Sequence, residues 1–199
     1  MHLFPVFLKL AGREVLIVGA GPVATSKLPA LLEAGARVRV VAPDMTDEIA
    51  NAGLELHRRP FQDDDVDGAW LVVAAATPEV NLAVARAAES RCVFVNAVDD
   101  PLPASAYLGG VVRRSGVTVA ISTDGHAPAI AGLLREGLDS LLPEDLDQWM
   151  TEACELRQHW KAANVPMEAR RPQLLEALNR LYEARRQVGP DEGPAVVPR

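Results

Sequence analysis

The chain has 199 residues, 49% of them hydrophobic, and a formal net charge of −7. That length buries about 70% of the surface of the unfolded chain, enough for one or two domains with proper cores. The charge argues against a nucleic-acid partner held by broad electrostatics, and no apolar run approaches the roughly 20 residues of a membrane span.

Cys92 and Cys154 show no ligand spacing, so neither a zinc site nor a disulfide framework is expected. Reduced thiols and the lack of a basic, apolar leader before Phe4 point to a soluble, cytoplasmic protein.

An apolar lead-in from Phe4 to Leu10 turns at Ala11-Gly12-Arg13 into Glu14-Val15-Leu16-Ile17-Val18, a β-branched strand. A glycine turn and a helix to about Glu33 follow, with Val23, Leu28, Leu31 and Leu32 expected against a sheet and Gly35 as the stop. In Gly19-x-Gly21-x-x-Ala24 the first glycine permits the tight turn and the second lets backbone approach a pyrophosphate. The small third residue lets helix and strand pack closely, and the helix N-terminus behind offers free N–H groups to an anion. A legible strand before and helix after give this weak motif the context it requires.

Residues 37–41 read as a second strand ending at Ala42-Pro43-Asp44. Asp44, 23 positions past Gly21, reads equally as a ribose contact or as a loop cap. No Arg follows it immediately, which favours NAD over NADP. After a helix near 45–51, a short third strand (54–57) leads to an acidic connector. Its aspartates, Asp63, Asp64, Asp65 and Asp67, read as a solvated loop rather than a metal site.

Residues 70–75 form a nearly continuous apolar run, expected of a strand buried on both faces. Thr77 and Pro78 start a helix reaching about Ser90, and Cys92 to Asn96 make a fifth strand. Alternating strands and helices imply a doubly wound parallel sheet, whose ligands bind outside the carboxyl ends of the strands. Loops 19–24, 42–44 and 96–100 gather at that edge, the last bringing Asp99 and Asp100.

After Pro101 and Pro103 the pattern changes to a hairpin, 111–114 with 117–121. A hydroxyl- and glycine-rich loop, Ser122-Thr123-Asp124-Gly125-His126, precedes a helix over 128–142. Helical periods then run over 144–163 and 171–186, broken by Pro166 and Pro172, and residues 189–199 read as a disordered tail. The fold expected is α/β: a Rossmann-type domain (1–104), a dimerisation segment (105–143) and a helical domain (144–188). A hairpin with one helix cannot bury its own core, so a second copy is its expected partner, giving a homodimer.

These residues resemble the precorrin-2 dehydrogenases of sirohaem biosynthesis, stand-alone or as the amino-terminal half of sirohaem synthase. The resemblance spans 3–183. It rests on Pro5-Val6-Phe7-Leu8, Val15 to Ala24 with Lys27, Leu31 to Ala36, Asn96-Ala97-Val98-Asp99, Val119 to Thr123 with Gly125, Leu133 to Glu136 and Leu141-Leu142-Pro143. It implies oxidation of precorrin-2 to sirohydrochlorin with NAD and, in some members, insertion of ferrous iron by the same site.

The family's essential aspartate falls on Asp99, and its dimer exchanges the central segment. Cofactor contacts fall on Gly19, Gly21, Pro22, Val23, Ala24, Pro43 and Asp44, and substrate contacts on Asn96, Ser122, Thr123 and Gly125. The macrocycle gives up one hydride and one proton, and a carboxylate suits the proton. Asp99 completes Asn-x-x-Asp and is preferred to Asp100; capping of the next segment is its bland alternative. Departures from the family are Ala75-Ala76-Thr77, no proline near Gly109, and Ala127 where Ser commonly precedes Pro. Rival readings are a non-catalytic NAD-sensing module, a chelatase without redox turnover and an S-adenosylmethionine enzyme.

Overall fold

The computed structural model describes residues 3–98 and 104–188. Asp99, Asp100, Pro101, Pro103 and the tail 189–199 lie outside the described residues.

The chain packs as two compact units, one formed by 1–109 with 122–131 and the other by 110–121 with 132–199. The chain thus leaves the first unit at Gly110 and rejoins it at Ser122, whereas the sequence suggested boundaries at 104 and 143.

The first unit is a Rossmann-type α/β layer structure. Strands β1 (Glu14–Val18), β2 (Arg37–Val41), β3 (Glu55–His57), β4 (Leu71–Ala74) and β5 (Phe94–Ala97) form one sheet in the order β3-β2-β1-β4-β5. Every pairing in it is parallel. The central strands alternate strictly between two cores. Val15, Ile17, Leu71 and Val73 face one side with Ala24, Leu28 and Leu31 of helix α1 (Pro22–Glu33). Leu16, Val18, Val72 and Ala74 face the other with Val84, Ala85 and Ala88 of helix α3 (Pro78–Glu89). Burial on both faces explains the continuous apolar run of β4.

Helix α1 presents 24, 28 and 31 to the sheet; Val23 and Leu32, expected there, are 40% and 43% exposed. The helix ends in a Schellman turn, Ala36 N–H to Leu31 O and Gly35 N–H to Leu32 O. Strand β5 starts at Phe94 rather than Cys92. Cys92 holds the left-handed position (φ 56) of the same kind of turn after α3, and Val93 N–H bonds Ala88 O.

The acidic connector is only partly solvated. A 3-10 turn, Asp63–Val66, buries Val66 and the carboxylate of Asp65. Arg59 grips that carboxylate with both guanidinium nitrogens, and Gln62 N–H donates to it at 2.8 Å. The hydrogen bond from Arg59 chiefly holds the Asp65 carboxyl below its ordinary range, against the effect of burial. Arg91 pairs with Asp64 and Asp67. No group of three metal-ligating side chains occurs among the described residues.

In the second unit, β6 (Gly110–Arg114) and β7 (Val117–Ile121) form an antiparallel hairpin. Its tip, Ser115-Gly116, has positive φ at both residues (48 and 80), as a tight hairpin turn needs. Helix α4 covers Pro128–Leu141. Its carboxyl end is tied to the hairpin, because Arg114 donates to Leu142 O and pairs with Asp139.

Helices α5 (Leu146–Ala162) and α6 (Met167–Val188) are joined by Trp160 Nε1 donating to Gln173 and by an edge-on Trp149–Tyr182 contact. Helix α6 starts four residues before the expected 171 and carries Pro172 inside it. The proline removes the bond to the carbonyl of Glu168, an exposed residue in the first turn of the helix, where water can replace it. No helix among the described residues is long and apolar enough to cross a membrane.

Candidate functional site

Parallel pairing brings the ends of β1, β2, β4 and β5 to one edge of the sheet. The strand order reverses between β1 and β4, where such sheets form a crevice. Gly19 leaves β1 there with φ +94, its N–H bonded to Val41 O. A Cβ on Gly19 would lie 2.2 Å from the Ala75 carbonyl oxygen at the end of β4. Only glycine fits this crossing of two backbones.

Gly21 is different. It caps α1 in an extended conformation (φ −84), and a Cβ on it would meet nothing within 4 Å. The first α1 amide with a carbonyl partner is Thr25, bonded to Gly21 O at 3.0 Å. Pro22 has no N–H, and helix geometry leaves the Val23 and Ala24 amides ahead of that bond without intrahelical partners. Open space over Gly21, unpaired helix-start amides and the positive end of the α1 dipole fit a pyrophosphate. Ala24, fully buried, keeps helix and sheet close. The residues present therefore suit a dinucleotide.

The β2 loop is fastened beside this turn. Thr46 N–H bonds Ala20 O at 3.0 Å, and the Thr46 and Thr25 hydroxyls share a 2.9 Å hydrogen bond. Pro43 and Asp44, both exposed, are thereby held next to the glycine turn. The cap of the short helix α2 (Asp47–Ala50) is Thr46, which leaves the Asp44 carboxylate out of that task.

On the other side, Ala75 N–H bonds Val18 O and Ala76 N–H bonds Asn81 Oδ1 at 3.0 Å. Asn81 was not anticipated. It is 3% exposed on the buried face of α3 and fixes the loop that crosses Gly19. The signal was an amide side chain in an apolar helical stripe. Thr77 sits at the N-cap but makes no side-chain cap bond. The Glu79 carboxyl is instead held below its ordinary range, mainly by its own backbone N–H and then by the Thr77 hydroxyl.

At the end of β5, Asn96 is buried and donates to Ala106 O at 3.0 Å. Ser105 reinforces this, its Oγ accepting from Val95 N–H while its own N–H and that of Ala106 bond Val95 O. Asn96 thus pins the returning chain along the sheet edge. Val98 N–H bonds Ala74 O, so residue 98 still belongs to the β4 edge when the chain passes to Asp99.

The Ser122 loop folds on itself. Ser122 Oγ accepts from Asp124 N–H and Thr123 Oγ1 from Ala127 N–H, through positive φ at Asp124 (52) and Gly125 (79). Ser122, Thr123 and Gly125 belong to the same compact unit as the glycine turn.

A family model described as putative NAD(P)-binding matches residues 6–110, just over half of the chain. Siroheme synthase 3 of Aeromonas hydrophila is 41% identical over 176 residues, 86% of this chain and 38% of its own length. A siroheme synthase of Salmonella typhi is 42% identical over the same shares. The chain therefore spans about two fifths of these relatives. Among solved structures, the precorrin-2 dehydrogenase SirC superposes with a TM-score of 0.68 at 28% identity, over 87% of this chain and 88% of that one.

Proposed function

Because the chain belongs to the putative NAD(P)-binding family, in the line of the sirohaem synthases and precorrin-2 dehydrogenases, we propose that it oxidises precorrin-2 to sirohydrochlorin with NAD, as a cytoplasmic homodimer. The observation that carries this reading is the Gly19–Ala75 backbone crossing with open space over Gly21 and the α1 amides behind it. NAD, when bound, supplies the hydride acceptor.

The chain's own residues do the rest. The Val23 and Ala24 amides bind pyrophosphate, and Asp44 meets the adenosine ribose. Asn81 and Thr46 hold the two flanking loops. Asp99 receives the proton that leaves the macrocycle, one residue beyond the Val98–Ala74 bond. Ser122, Thr123 and Gly125 meet the substrate's carboxylates.

Helix α4 supports the dimer. Ile130, Leu133, Leu134, Leu138 and Leu141 form one apolar stripe, with Leu133 68% and Leu141 77% exposed. Metal insertion extends the reading, with ferrous iron as a substrate and Asp99 taking the pyrrole protons.

The direct test is to incubate the protein with precorrin-2 and NAD and follow NADH absorbance. The expected result is NADH formed in step with sirohydrochlorin; NADH no faster than without protein defeats the proposal. Sirohydrochlorin and ferrous iron without NAD test the metal step separately.

A further inference from the structure

Two hydroxyl groups join the glycine turn to the loop after β2. They belong to Thr25, in the first turn of α1, and Thr46, at the start of α2, and both residues are half-buried. Gly21 O accepts twice from Thr25, from its N–H at 3.0 Å and from its Oγ1 at 3.1 Å. A hydroxyl has one proton, and the Gly21 carbonyl, which can only accept, takes that of Thr25. Thr46 is therefore the donor in the 2.9 Å bond between the two hydroxyls. Thr46 Oγ1 accepts in turn from Ile49 N–H at 3.4 Å. These groups form one polar chain with a single direction, from α2 through Thr46 and Thr25 to Gly21 O.

Helix α1 alone gains little from Thr25. A β-branched residue is stiff in a helix, and a hydroxyl bonded to the carbonyl four residues back slightly destabilises it. The hydroxyl instead ties together parts of the fold that are distant in sequence. Thr46 N–H already anchors the β2 loop to Ala20 O at 3.0 Å. One bond fixes a distance and leaves the loop free to pivot; the hydroxyl pair is a second tie that fixes its orientation. Asp44 lies two residues before Thr46, and Gly21 leads into the Val23 and Ala24 amides.

We propose that Thr25 is a positioning residue for the dinucleotide: its hydroxyl, through Thr46, sets the separation between the pyrophosphate turn and the ribose loop. The assignment rests on the dinucleotide reading above and adds the device that makes both halves of the ligand bind as one. Its signature is coupling. Asp44 contributes to affinity only while Thr25 holds its loop, so losses from the two substitutions fall short of additive. A hydroxyl with a purely structural task would leave the Asp44 contribution unchanged.

The test is a double-mutant cycle on the full-length protein, with NAD dissociation constants from calorimetric titration and thermal melts alongside. Thr25→Val keeps the branched shape and removes the hydroxyl; Asp44→Ala removes the carboxylate. Each single substitution is expected to weaken NAD about five- to tenfold, consistent with loss of one hydrogen bond. The double variant should bind NAD less than about twofold more weakly than Thr25→Val alone. Thr25→Ser restores the hydroxyl and should return affinity to within about twofold of native, with the Asp44 effect regained.

Losses that multiply in the double variant overturn the assignment alone. So does a Thr25→Val chain that melts lower yet binds NAD as the native chain does. Unchanged affinity in Asp44→Ala removes the ribose contact and, with it, what Thr25 positions. Absence of NAD binding by the native chain overturns the dinucleotide reading itself. If Thr25→Val does not fold, Thr25→Ala, the better helix former, takes its place in the cycle under the same criteria.

Discussion

Gly19 and Ala75 cross so closely that a single methyl group on residue 19 would overlap the Ala75 carbonyl, with its Cβ 2.2 Å from the oxygen and 2.6 Å from the carbon. Both partners are backbone at the ends of the two central strands, so neither can swing aside. Positive φ at Gly19 adds strain for any other residue. Gly19→Ala should cost at least about 3 kcal/mol and lower Tm by about 6–12 °C, read by thermal denaturation.

Gly21→Ala separates binding from folding. Its φ of −84 suits alanine and the added methyl enters open space. Stability should change by no more than about 0.5 kcal/mol. NAD affinity should fall at least about tenfold, because the methyl occupies the approach of the pyrophosphate to the backbone. Calorimetric titration with NAD beside a thermal melt distinguishes the two effects.

The sheet and the glycine turn could be read from sequence because each leaves a local mark: β-branched runs, a fixed glycine spacing, a helix behind. What escaped depends on distant partners. Asp65 looked like its solvated neighbours, and only Arg59 and Arg39 brought in by the fold make it a buried anchor. The exposure of Val23 and Leu32 follows from the direction in which α1 leaves the turn, since the stripe starts at Ala24 and not one residue earlier. Pro172 signals a break, yet α6 runs through it where an exposed carbonyl can be hydrated. The hairpin and the helices after it are legible in the sequence, but the return of Ser122–Ala131 to the first unit leaves no mark in periodicity.

The Arg59–Asp65 pair predicts an acid limb in stability. The Asp65 carboxyl is held below its ordinary value by the Arg59 hydrogen bond. The folded state therefore binds that proton less readily than the unfolded state. The stabilisation is complete above the unfolded value near pH 4 and is lost as pH falls from there through the folded value. Asp65→Asn should flatten stability against pH in that window and cost about 1–3 kcal/mol at pH 7. Urea denaturation across the pH range measures both.

The proposed dimer is tested by glutamates at Leu133 and Leu141, which would place charge on the most exposed part of the α4 stripe. Each leucine buried between copies contributes about 1.5–3 kcal/mol. Leu133→Glu with Leu141→Glu should shift sedimentation from dimer to monomer, with Tm of the sheet unit little changed. A native chain that sediments as a monomer refutes the pairing.

Asp99→Ala should lower kcat by about 10²–10⁴, as expected for loss of a general base, while the NAD dissociation constant stays within about twofold. Asp100→Ala should have a much smaller effect. Single-turnover NADH formation alongside NAD titration checks the division. Equal losses in both variants would transfer the role away from residue 99.

Asn81 links helix packing to the site. Its side chain is buried, and its Oδ1 accepts the N–H of Ala76, an exposed loop residue, at 3.0 Å. Replacement by alanine removes that hydrogen bond, at about 0.5–1.5 kcal/mol. Because residue 76 follows the carbonyl that crosses Gly19, the loosened loop no longer fixes the wall of the crevice. Asn81→Ala should therefore lower Tm and weaken NAD several-fold together. A substitution on the exposed side of the same helix, Glu89→Ala, should do neither. Full NAD affinity in a destabilised Asn81→Ala would confine Asn81 to folding alone.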